Sequence, residues 1–224
     1  MISMFRSLLS GLCLLAFTSV AHGKDAATPE QLLAEFSRCD AQFFETLNNS
    51  RLPAGTLSLA RSGSVMAPKV MNPLQEGGRY QAFDQPLVVN GVRLVGYYNE
   101  AQSLNKLGSF LFWGFVAEGE VKDVAASLRP LVANNARLVP QRTAFSRVEI
   151  RRVGDPIQQW RTEGLSGPGV ATPFGFVERI FTVDKGVAEA PIAGRTTIFC
   201  SLQGTVTAPL LQVYRPDLNA HLLD

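Results

Sequence analysis

The sequence predicts an α+β fold: a largely antiparallel sheet of about seven or eight strands, packed by two main helices and held by one disulfide. Three observations lead there. An apolar stripe at helical spacing follows a well-formed helix entry near residue 28. A series of β-rich runs, separated by Gly and Pro, occupies most of the remaining chain. Of the three cysteines, two stay with the chain once an export leader is removed.

The leader is read from the first 23 residues. Arg6 precedes an apolar run from Leu8 to Val20, and Ala21-His22-Gly23 forms a small-residue exit, the order of a secretory signal. The run is about 13 residues, short of the roughly 20 a helix needs to cross a bilayer, so cleavage before Lys24 is expected rather than a permanent anchor. The reading is thus 1–23 as a cleaved signal and 24–224 as one α+β domain, with a possible seam near 101–107. The expected location is periplasmic or secreted, with no stable membrane insertion.

Helical structure is expected first. Thr28, Pro29 and Gln31 supply a cap, a first-turn proline and a residue that reaches back to the cap. Leu32, Leu33, Phe36, Cys39, Phe43, Phe44 and Leu47 then recur on one face, predicting a single helix that ends near 48–50. Residues 56–70 contain a strand pair interrupted by Gly and Pro. The run 87–95 places two β-rich segments around Asn90-Gly91, the preferred pair for a two-residue hairpin turn.

Ser109–Ala117 is apolar on both alternating sets, which predicts a strand covered on both faces. A second helix is expected over about 120–132, with Val121, Val124, Ala125, Leu128, Leu131 and Val132 inward. Strands are expected over about 144–153, 157–163, 174–184 and 195–206. Their connectors are too short for parallel crossovers, so they form an antiparallel meander. A last helical turn begins near Thr207 and ends before Pro216.

Cys39 lies on the apolar stripe of the first helix. Cys200 alternates with Ile198, Leu202 and Val206 on one face of the last strand. In an oxidising compartment these two should join through the core, closing a loop of about 160 residues that the chain-entropy model values at roughly 5 kcal/mol. A redox-active pair would favour Cys-x-x-Cys spacing, which is missing.

Composition narrows function. Loss of Arg6 takes Lys plus Arg from 21 to 20 against 19 acids, leaving a net charge of about +1 and no general attraction to nucleic acid. His22 leaves with the leader, and His221 stands three residues from the end. That poverty of imidazole argues against hydrolase triads and against histidine metal sites, and no cofactor is expected. The carboxylates Glu149, Glu163 and Glu178 are the only catalytic candidates, as an acid and base pair for glycan cleavage.

The candidate binding face is Arg147, Glu149 and Arg151, alternating on the 144–153 strand, extended by Arg152 and by Trp160 and Arg161 on the next. Two readings compete for it. One is a solvated sheet face with cross-strand ion pairs; the other is an Arg and aromatic patch of the kind that anchors protein interfaces, or that meets an anionic glycan or lipid headgroup. Trp113, Tyr97 and Tyr98 are read as core rather than as a binding platform. Glu178 and Arg179 interrupt an apolar strand and need partners. The Gly- and Pro-rich 164–175 segment is read as a connector able to contact a partner.

The functional expectation is a non-enzymatic exported protein, periplasmic if bacterial, that binds another protein in the cell envelope and in its most specific form acts as an inhibitor or immunity-like protein. An envelope assembly or maintenance factor is the first alternative, and a carboxylate-dependent glycan hydrolase the second. Mass spectrometry of the exported protein should give a mature chain beginning at Lys24; retention of residues 1–23 would contradict the leader.

Overall fold

A computed structural model describes residues 26–70, 79–103, 108–162, 170–186 and 192–218. The expected export leader, Glu163, His221, residues 104–107 of the possible seam and 164–169 of the Gly- and Pro-rich segment lie outside the described residues. Elements run in the order α1 (Pro29–Phe36), α2 (Gln42–Leu47), β1 (Leu59–Ser62), β2 (Val65–Pro68), β3 (Arg79–Val89), β4 (Val92–Ser103) and β5 (Ser109–Ala117). There follow α3 (Val121–Leu128), β6 (Val139–Gln141), β7 (Ala144–Arg152), β8 (Phe176–Lys185), β9 (Thr196–Gly204) and α4 (Ala208–Tyr214). The expected α+β class is what the chain adopts.

Seven strands form one antiparallel sheet in the order β3-β4-β5-β9-β8-β7-β6, and β1 and β2 pair separately. After β5 the chain crosses the sheet through α3 and two short 3-10 turns to the far edge. It then returns strand by strand until β9 lies beside β5. Gly114 permits that closing contact, because a Cβ there would stand 2.1 Å from the carbonyl oxygen of Ile198. At the opposite end of the sheet, Asn90 and Gly91 both take positive φ, 46° and 82°, and join β3 to β4 as the Asn-Gly pair predicts.

The core is built on one face. Phe36 of α1 meets Phe43 of α2 at 5.1 Å and Phe115 of β5 at 5.0 Å, both edge to face. Tyr97, Trp113, Phe181, Cys200 and Leu202 complete the layer, each buried. Trp113 and Tyr97 are therefore core, as expected. No helix among the described residues is long and apolar enough to cross a membrane.

Two expectations are corrected. The single first helix is two, because Cys39 takes a left-handed conformation (φ 56°) that ends α1 and reverses the chain before α2. The capping box itself forms, with Gln31 N–H donating to Thr28 Oγ1 at 3.2 Å and Thr28 N–H to Gln31 Oε1 at 2.9 Å. Asp40 accepts from the Gln42 amide at 3.0 Å, so the reversal supplies its own start for α2. The second correction is the strand expected over 157–163: the described residues 157–162 form none. Pro156 opens a turn closed by Gln159 N–H on its carbonyl, and only Arg161 pairs with the sheet, bridging Ile150.

Cys39 and Cys200 are bonded, with Cα atoms 5.3 Å apart and a sequence separation of 161. The bond lies under α1 at the middle strand of the sheet. Replacing both cysteines with alanine should lower the free energy of unfolding by about 2–5 kcal/mol in urea titration, with no further loss on adding reductant. An unchanged midpoint would show that the bridge carries no stability.

Candidate functional site

β7 alternates as expected, with Arg147, Glu149 and Arg151 on one face. That face is not solvated. Arg147 is 1% exposed, Glu149 6% and Arg151 4%, because they point to the helix side of the sheet. Burial of charge requires partners, and these come from distant parts of the chain. Arg179 of β8, directly across from Glu149 in the ladder, donates to it through Nη2 at 2.7 Å and Nε at 2.9 Å. Arg147 approaches the same carboxylate at 3.7 Å and donates to the carbonyl of Ala133 at 2.5 Å. Asp40, in the turn after Cys39, stands 3.9 Å from Arg179 and 3.3 Å from Arg38.

The electrostatics follow from this sharing. Burial lowers the Arg147 guanidinium to about 10, Glu149 partly offsets that, and Arg179 adds to the lowering. Arg147 is still a cation at neutral pH. Arg215 shows the contrast: burial acts on it in the same direction, but Asp217, bound through two bonds of 2.8 Å, more than reverses the effect and raises it. A cation with its own carboxylate gains where one sharing a carboxylate loses.

Trp160 joins the network from the loop. Its indole N–H donates to the Tyr214 hydroxyl at 2.6 Å, and that hydroxyl donates to the Ile157 carbonyl at 2.9 Å. The ring lies 4.7 Å from the Arg179 guanidinium and 5.7 Å from that of Arg151. Arg161 does not join. It is exposed and pairs with Asp155 at 3.0 Å. Of the five residues expected to form an interaction face, Arg147, Glu149, Arg151 and Trp160 come together as an internal network and Arg161 stays outside it.

The reading missed Asp40 and Tyr214, whose positions in sequence give no hint of this contact. Arg179 carried a signal, being a charge inside an apolar strand. Glu178, its neighbour, points to the opposite face and is fully buried. Thr172 donates to its Oε2 at 2.8 Å and Gln203 at 3.1 Å, while Oε1 has no partner. Because Glu149 and Glu178 project from opposite faces of adjacent strands, the sheet separates them, and they cannot flank one glycosidic bond.

What remains open to a partner lies at one end of the sheet, where β7 leaves and β8 begins. Val153, Val170 and Phe174 are exposed there, Phe174 by 83%. The Phe174 turn is fixed on both sides: Val153 N–H donates to the Gly175 carbonyl at 2.8 Å, Gly175 N–H to Thr205 Oγ1 at 3.0 Å, and Phe176 N–H to the Pro173 carbonyl at 3.1 Å. Arg152, also exposed, lies 5.7 Å over the Phe176 ring. Beside this surface a cavity of about 160 Å³ opens between Arg151, Asp155, Val177, Thr205, Thr207 and Leu210.

The chain matches no family model, no curated protein and no solved structure. Its function is therefore argued from its own residues. A second cavity of about 190 Å³ lies under the β1–β2 pair against Tyr97, Asn99, Arg215 and Asp217. Its arginine and aspartate neutralise each other, and Lys69 lines it from an exposed position.

If the shared carboxylate holds the network, Glu149→Gln should cost about 3–5 kcal/mol of unfolding free energy, because it strands two buried cations. In a double-mutant cycle, adding Arg179→Met should cost less than it does alone. Strict additivity in urea titrations would dissolve the proposed coupling.

Proposed function

We propose that this protein is exported and binds a protein partner in the cell envelope or outside the cell, in the manner of an inhibitor that occupies a partner's cleft. The observation that carries the reading is the Phe174 turn. Single exposed apolar residues are ordinary, but among the described residues three of the five large ones, Val153, Val170 and Phe174, belong to the same end of the sheet.

An aromatic ring held out on an anchored turn can enter a pocket with little further ordering, so more of its burial energy is expressed as affinity. The disulfide supports the same reading by favouring export to an oxidising compartment. Arg152 at the rim adds a charge that can steer the encounter. The reading assigns no catalysis to the chain, in keeping with Glu149 held in an internal ion pair and Glu178 sealed on the other face.

An envelope assembly factor would use the same surface with a different partner, and the identity of that partner separates the two. A photo-reactive phenylalanine at position 174 should give a discrete cross-linked protein in the living cell, reduced at least about tenfold by Val153→Ser with Val170→Ser. The same probe at Val139, an exposed valine on the edge strand β6, should not give it. Equal products from positions 174 and 139 would remove this surface from the account.

A further inference from the structure

Three arginines are almost wholly buried among the described residues, and two have carboxylates: Arg147 approaches Glu149 and Arg215 grips Asp217. Arg151 has none. Its guanidinium donates to the main-chain carbonyls of Ile157, at 3.2 Å, and of Asp155, and its Nε–H has no partner. The Asp155 side chain is not its counter-ion, because that carboxylate accepts from the Arg152 amide and from Arg161, each at 3.0 Å. Carbonyl dipoles offset only part of a buried full charge, so Arg151 is a cation 4% exposed with donors to spare.

That cation lines the cavity of about 160 Å³ at the end of the sheet. The cavity's inner wall is apolar, from Val177 and Leu210, both buried. Its mouth lies among Gly154, Thr207 and Pro209, all exposed. Thr205 Oγ1 accepts from the Gly175 amide and keeps its own proton to donate, and Thr207, the residue before α4, makes no capping bond with its hydroxyl. A water takes about 30 Å³ of liquid, so the space suits a group of roughly five heavy atoms.

We propose that this cavity is a carboxylate-binding subsite, taking one carboxylate on a short aliphatic stem against Arg151, with the stem along Val177 and Leu210. One unpaired guanidinium balances one negative charge. A phosphate dianion fits less well, since Asp155 also lines the cavity and its negative charge nearby would oppose the second charge. Two sources carry this chemistry, an acidic side chain of a protein partner and a free small acid. The subsite does not depend on the protein-binding reading, although Val153 borders both features.

The test uses the full mature chain labelled with ¹⁵N and titrated with propionate, with chloride holding ionic strength constant. The Arg151 Nε–Hε resonance, assigned by its loss in Arg151→Lys and by its proximity to Trp160, should shift and saturate. Inorganic phosphate should bind more weakly than propionate. Thr207→Tyr fills the mouth from an exposed position and leaves Arg151 in place; it should weaken propionate about tenfold or more, the scale of a charge-assisted hydrogen bond lost. A linear, unsaturated response, or the same affinity in Thr207→Tyr, overturns the subsite.

Cross-linking from position 174 separates the sources. If saturating propionate abolishes the cross-linked product, the partner supplies the carboxylate. If the product persists while propionate still saturates, the ligand is a free acid. Should no partner be cross-linked at all, the protein-binding reading falls, and the propionate titration still decides the subsite alone.

Discussion

The bond between Cys39 and Cys200 is the constraint on which the rest of the structure depends. It fixes the reversal between α1 and α2 to β9, the strand in the middle of the sheet. Three consequences follow from that position. Phe36 and Phe43, on either side of the reversal, both reach Phe115 and form the aromatic centre of the core. Asp40, next to the bonded cysteine, is delivered to the polar end of the same layer, beside Arg179. Ser37, also in the reversal and fully buried, accepts from the Ala133 amide at 2.8 Å and so locates the turn after α3. One covalent tie thus sets the positions of groups from four separate parts of the chain.

Charge is handled differently in different parts of this sheet. On the helix side of β7 and β8, Glu149 serves two arginines and the Trp160 ring covers the second of them, so most of the network is shielded from solvent. Such a network adds little net stability over an apolar core, but losing a member is costly, and its geometry admits a single register of β7 on β8. On the opposite face Glu178 is held by hydroxyl and amide donors from Thr172 and Gln203. At the end of the sheet Arg151, without an ion pair among the described residues, lines a cavity, and Arg152 is exposed on the same surface as Phe174. The functional proposals rest on that asymmetry.

Much of the architecture was legible in local sequence. Asn90-Gly91 specifies its turn because both residues tolerate positive φ, and the alternation around Cys200 correctly directs its sulfur to the core. Continuous apolar spacing from Leu32 to Leu47 concealed the break at Cys39, because a tight reversal returns the stripe to the same face and Cys39 adopts a conformation usually left to glycine. The alternation of Arg147, Glu149 and Arg151 was read correctly as one face, but polarity pointed it to solvent. Its burial depends on Arg179, Asp40 and the Ala133 carbonyl, contacts that exist only once the chain is folded. The 157–163 run had strand-like residues, but of the described ones only Arg161 joins the outer edge of β7, exchanging two bonds with Ile150, because the turn from Pro156 to Gln159 takes up the residues before it. The sheet-end surface was signalled only by the Gly- and Pro-rich 164–175 run, which holds Val170 and Phe174; their exposure beside Val153 is a property of the assembled sheet and not of any local pattern.

The central claim is that a covalent bond through the core organises this fold, and peptide mapping of the purified protein without reduction tests it most directly. The account predicts one linked species containing the Cys39 and Cys200 peptides, with neither thiol alkylated after denaturation. Recovery of both peptides unlinked and alkylated would contradict it, and with it the placement of α1, α2 and Asp40 on the sheet.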